Sequence, residues 1–129
     1  LRADGSDLLT VALIGHLDEA LGIKLRSDVE KHLQAHPRTR WVLMDLSGLS
    51  DSEVLGRAEL RSFQTWLSRK VERTAYLART PRFRGLAHIA IHGAKDPNAI
   101  AVVSRQEADE WLASSGTRGA LRLSKVGDA

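Results

Sequence analysis

The stretch DLSGLSDSEVLG, residues 45–56, closes one hydrophobic run and opens a helix-like one. It carries three serines and three acids in twelve residues, so it could be a turn, a modification site or a reactive loop. Just upstream, RWVLMDLS (40–47) is short and apolar, the pattern of a buried strand. Within the stretch, Ser50 and Glu53 have the S-x-x-E spacing in which each side chain satisfies a backbone N–H of a helix's first turn. Leu49 and Val54 stand where a hydrophobic staple would close around that cap. A helix is therefore expected from the Ser50 cap to about Lys70, burying Leu55, Ala58, Phe63, Trp66 and Leu67.

The same alternation extends in both directions. LLTVALIG (8–15) reads as a strand buried on both faces and stopped by Gly15. From Leu17 the period changes: Leu17, Leu21, Leu25, Val29 and Leu33 recur every fourth residue, an amphipathic helix that HPR (36–38) ends. RTAYLA (73–78) is a third strand, and Pro81 suits the first turn of a helix from 81 to about 93. DPN (96–98) turns the chain into AIAVVS (99–104), a fourth strand. Ser104 and Glu107 repeat the capping box and open a last helix through Ala108, Trp111 and Leu112, which Gly116 ends. ALRL (120–123) is a candidate edge strand. Strands alternating with helices predict an α/β sandwich: four to five mainly parallel strands flanked by about four helices. The expected core includes Val11, Leu13, Leu21, Leu25, Val42, Met44, Leu55, Trp66, Leu77, Val102 and Trp111.

At 129 residues the chain suits one domain, expected over 7–115, with a lead-in at 1–6 and a weakly patterned extension at 116–129. It begins at Leu1 rather than at a methionine, as expected of a fragment of a longer protein. There are no cysteines, which excludes disulfides, thiolate catalysis and cysteine-ligated zinc. Neither a membrane-spanning run nor a secretory start is present, so a cytoplasmic protein without membrane insertion is expected. Residues 51–85 carry eight basic against four acidic side chains, a segment able to steer an acidic partner. Nucleic acid is not the expected partner: one tyrosine and two phenylalanines leave few rings to stack bases, and the three tryptophans fall on apolar faces.

Two motifs stand at a telling separation: GHLD (15–18) closes the first strand and DLSG (45–48) the second, with one helix between. This pattern resembles the STAS domain, named for sulfate transporters and anti-sigma factor antagonists. The resemblance covers roughly residues 7–114, including Trp111 and Leu112 of the last helix. RTAYLARTPRFRG (73–85) is also similar to a STAS-like branch related to lipid-binding SEC14 domains. In STAS antagonists a D-S-S-G quartet follows the second strand, and its first serine takes phosphate. Counted forward without a gap, that quartet falls here on Glu53, Val54, Leu55 and Gly56, so valine occupies the acceptor position. The resemblance thus implies the fold and a binding role without the usual phospho-switch. It places the partner contact at the loop after the second strand and the helix behind it, residues 47–61. Within that region Ser50, Ser52, Glu53, Arg57 and Arg61 are the candidate contact residues, the arginines one turn apart and suited to grip a carboxylate or phosphate.

Other constellations are read as structural. Asp51 and Glu53, two apart at the expected helix start, would not face each other, and Asp45 would brace the following loop. His88 and His92 have the i, i+4 zinc spacing without a third ligand or an intervening glutamate. His16 is expected to be a loop residue. No nucleophile–base arrangement and no phosphate cradle appear, so neither an enzyme nor a cofactor is expected. The expected function is a non-enzymatic protein-interaction domain of a bacterial-type signalling assembly. The alternative is a domain binding a small molecule or lipid, which a sizeable apolar pocket between sheet and helices would favour.

Overall fold

The computed structural model describes residues 2–4 and 7–114. The elements are β1 (Arg2–Asp4), β2 (Leu8–Leu17), α1 (Glu19–Ala35), β3 (Trp41–Ser52), α2 (Val54–Leu67), β4 (Arg73–Leu77), α3 (Pro81–Ala94), β5 (Ala99–Val102) and α4 (Arg105–Ala113). The strands pair in chain order, β1 antiparallel to β2 and the rest parallel. This is the expected mainly parallel sheet among helices. The short β1 was not anticipated, because three residues carry too little periodicity to read. Residues 120–123 lie outside the described residues.

A parallel sheet without a reversal of strand order sends every right-handed crossover to the same face. Accordingly α1, α2 and α3 share one face and α4, which follows the last strand, covers the other. The larger core joins Leu25, Val29, Leu60, Phe63, Leu67, Leu86 and Ile91 to Leu9, Val11, Leu13, Val42, Met44, Leu46 and Tyr76. The smaller one joins Ala108 and Leu112 of α4 to the alternate strand positions Leu43, Ala75, Leu77 and Val102. Because α4 lies mainly over β4 and β5, β2 is not buried on both faces along its whole length: Ala12 and Ile14 on its α4 side are exposed.

Local chemistry explains the helix ends. Asp18, the last residue of GHLD, caps α1 by accepting the Leu21 N–H at 2.8 Å. Thr80 caps α3 ahead of Pro81, and α3 ends on Lys95 in the left-handed region at φ 54°. At α4, Ser104 accepts the Glu107 N–H at 3.2 Å, and the Glu107 carboxylate returns to the N–H of Val103, one residue before the cap.

The expected cap of α2 is not formed. β3 continues through Ser52, the cap position is Glu53, and no side chain caps the helix. Leu49 is buried but Val54 is exposed, so no staple closes. Leu55, expected in the core, is 55% exposed, while Gly56, Leu60, Phe63, Gln64 and Leu67 form the buried face. The cause is non-local: β2 and β3 pair to their ends, which carries the chain in extended form past the residue that a local rule would choose. Leu21, Trp66 and Trp111 are half-buried, packed against the cores rather than within them. The other expected core residues are buried.

Candidate functional site

The C-terminal ends of β2 and β3 meet in a geometry set by two register shifts. Ala12 pairs with Asp45 but Ile14 with Gly48, and Gly15 pairs with Leu49 but His16 with Asp51. Each shift places one extra residue in β3, the signature of a bulge. Asp45 supports the first by accepting the Ser47 N–H at 2.9 Å. At the second, Gly15 adopts φ +91°, a conformation that side chains rarely tolerate, and Ser50 is the residue passed over. The skip brings His16 opposite Asp51.

Asp51 and Glu53, far from being on a helix, both lie in extended backbone, where residues two apart share a side. They take hold of one imidazole. Asp51 engages His16 Nδ1, and Glu53 Oε2 lies 2.8 Å from Nε2. These two hydrogen bonds, Asp51's the stronger influence, raise the imidazole from its usual 6.5 to about 9. At neutral pH His16 is a cation latched between two carboxylates, with neither nitrogen available as a base. Each carboxylate faces a different nitrogen, and among the described residues no group of side chains is arranged to hold a metal ion. His16 is therefore not the unconnected loop residue its sequence position suggests.

The sign of the pH effect follows from the raised value. The latch's contribution is complete below pH 6.5 and is lost as pH rises through 9. The wild-type melting temperature should fall across that interval relative to His16→Gln, and added salt should shrink the difference because the pair is solvent-exposed. Parallel pH curves for the two proteins would show that no imidazolium is held there.

α2 starts directly on this latch. The Glu53 N–H donates to Leu17 O at 3.0 Å. Gly56 then lets the first turn approach the end of β2, since a Cβ there would lie 2.1 Å from the same oxygen. Val54 and Leu55 face solvent. Ser52 is only partly exposed: its carbonyl and hydroxyl accept Arg57 Nη1 at 3.1 and 3.2 Å. Ser50 O accepts Arg82 Nη1 at 3.4 Å. Arg61 is exposed, its stem lying over Gly93 of α3. Thus Glu53 belongs to the latch, Ser50 and Ser52 hold arginines, and Arg57 lines one pocket together with Arg82 of α3, a residue the sequence pattern did not single out.

The basic segment 51–85 does not form one patch. Arg57, Arg79, Arg82 and Arg84 lie toward the C-terminal strand ends, whereas Arg69, Lys70 and Arg73 lie where β4 begins. Aromatic rings are taken by cations of the same chain: Arg26 over Trp66 at 4.5 Å, Arg40 over Trp41 at 4.7 Å and Arg73 over Trp111 at 4.3 Å. Those faces are not open to stack bases. His88 and His92 lie side by side on α3, exposed, with ring centroids 5.6 Å apart.

A cavity of about 700 Å³ opens at the opposite end of the sheet, lined by charged and polar residues including Asp7, Arg38, Arg40, Arg69, Lys70 and Glu72. It lacks the apolar lining that a lipid site between sheet and helices requires. Among the described residues the strand order does not reverse, so they do not build the crevice in which doubly wound sheets hold nucleotides.

This architecture recurs in solved structures. The chain is similar to an uncharacterised DUF3478-family protein with a SpoIIAA-like fold from Shewanella loihica PV-4, with a TM-score of 0.64 and 14% identity over 87% of this chain and 88% of that one. It is equally similar to the anti-sigma factor antagonist SpoIIAA in its unphosphorylated form, with a TM-score of 0.64 and 16% identity over 88% of this chain and 94% of that one. No family model and no curated protein matches the sequence. The fold is that of a STAS-like, SpoIIAA-like domain.

Proposed function

We propose that the chain is a non-enzymatic regulatory domain of a bacterial-type signalling assembly, binding a protein partner around the head of α2 without a serine switch there. One observation carries this: Val54 and Leu55 are 69% and 55% exposed, side by side where the quartet of STAS antagonists falls. Large apolar side chains exposed together at a helix start, beside cationic Arg57 and Arg61, suit a contact surface better than a solvated one. The similar fold of an anti-sigma factor antagonist supports a regulatory role. The latch supports it too, because it fixes the strand ends from which that surface projects. Of the candidate contact residues, Arg57 and Arg61 serve as cationic contacts, while Ser50, Ser52 and Glu53 position the backbone around them.

Affinity capture from the source lysate should retain a specific protein that a Val54→Asp/Leu55→Asp bait loses. Both baits should melt at similar temperatures, since exposed substitutions change stability by only about 0.5 kcal/mol. Equal capture by the two would place the partner surface elsewhere. For the switch, an anti-sigma-type serine kinase with ATP should leave the intact mass unchanged. Stoichiometric phosphate on Ser50 or Ser52 would show that phosphorylation acts at a neighbouring position instead.

A further inference from the structure

Between α2 and α3, at the same end of the sheet, lies a pocket of about 270 Å³. Arg57 and Arg82 line it together with Phe83, Leu86 and Ile89. Ile89 is 49% exposed, a large apolar side chain left to solvent on α3. Both guanidiniums are fastened by neutral groups: Arg57 to the Ser52 carbonyl and hydroxyl, Arg82 to the Ser50 carbonyl, with its guanidinium 5.4 Å from the Phe83 ring. Among the described residues neither is ion-paired, and no acid lines the pocket. Two cations held near one another by uncharged acceptors leave a positive potential that an anion would relieve. Each uses Nη1 on the protein, so the remaining donors match a two-oxygen acceptor, and the apolar wall matches hydrocarbon beside it.

We propose that this pocket receives a carboxylate, carried next to an apolar side chain on a segment of the protein partner. The proposal rests on the partner-binding function above and names the chemistry that the partner presents. Arg57 and Arg82 grip the carboxylate, and Phe83, Leu86 and Ile89 take the neighbouring hydrocarbon.

The test is an NMR titration of the isotope-labelled chain with four probes: a short peptide amide containing leucine next to glutamate, its glutamine counterpart, octanoate, and inorganic phosphate. The glutamate peptide should give saturable shifts centred on Arg57, Arg82 and Ile89. Both the glutamine peptide and Arg82→Gln should weaken binding about tenfold, the loss of a charge-assisted pair. Arg82→Lys, which keeps the charge but not the fork, should fall between. Equal binding of the two peptides, or shifts centred elsewhere, would overturn the proposal. Tighter binding of octanoate or phosphate at these residues would also overturn it, by assigning the pocket to a free acid or a phosphate. Partner capture that survives Arg82→Gln alongside absent peptide binding would reject the pocket while leaving the α2 surface standing.

Discussion

Replacing Gly56 by alanine should destabilise the domain by about 3 kcal/mol, a fall of roughly 10 °C in melting temperature. An added Cβ would sit 2.1 Å from Leu17 O, 2.6 Å from Leu17 C and 3.0 Å from Asp18 Cα. All three are backbone atoms, so no side-chain rotation relieves the clash. The head of α2 would have to lift from the end of β2. That movement stretches the Glu53 N–H to Leu17 O hydrogen bond and pulls Glu53 away from His16. It also presses on Asp18, which caps α1. Gly85→Ala is the control, because nothing lies within 4 Å of its added Cβ and the position is inside α3. It should stabilise by up to about 1 kcal/mol, the ordinary helix preference for alanine. If Gly56→Ala were as stable as wild type, α2 would not rest on the end of β2 in the way described.

A second large effect is expected in the α2–β4 core. Tyr76, fully buried, donates from its hydroxyl to Gln64 Oε1 at 2.7 Å, and Gln64 Nε2 donates to Asp96 Oδ2 at 2.9 Å. Asp96 in turn accepts the Asn98 N–H at 2.9 Å, so the chain of bonds ties β4 and α2 to the turn before β5. Burial pushes the Tyr76 phenol upward, with the nearby Asp96 charge adding to it, so it remains a neutral donor. Gln64→Leu leaves the hydroxyl without its acceptor and Asp96 without this donor, at about 2–3 kcal/mol. Tyr76→Phe leaves Gln64 Oε1 unsatisfied, at about 1–3 kcal/mol. The double variant should cost less than the sum, because each single change strands a partner that the second removes. Denaturant midpoints of the four proteins measure the coupling, and additivity within about 0.5 kcal/mol would contradict the network.

The order of elements was legible because period and punctuation are local properties. Leu21, Leu25 and Val29 recur at helical spacing, and the short apolar runs within 8–15 and 40–47 sit between breakers. The α4 cap at Ser104 was legible for the same reason, and nothing non-local competes with it. Ser50 shows the opposite case: its S-x-x-E spacing fits a helix cap, yet pairing with β2 extends β3 through Ser52. That pairing joins residues more than thirty positions apart and leaves no local trace. The His16 latch was hidden for the same reason, since its register depends on a bulge. Had β3 been extended through Glu53, the shared side of Asp51 and Glu53 would have pointed to a basic partner across the sheet. The resemblance to STAS domains implied a region, residues 47–61, but not the local wiring, in which Arg57 holds Ser52 and lines a pocket with Arg82 of α3.

The partner surface is tested most directly by hydrogen–deuterium exchange on the chain with and without the captured partner. The complex should slow exchange in residues 50–61 of β3 and α2 and in residues 82–89 of α3, which together frame Val54, Leu55, Arg57 and Arg82. Protection confined to residues 37–40 and 69–72, around the charged cavity at the other end of the sheet, would contradict it.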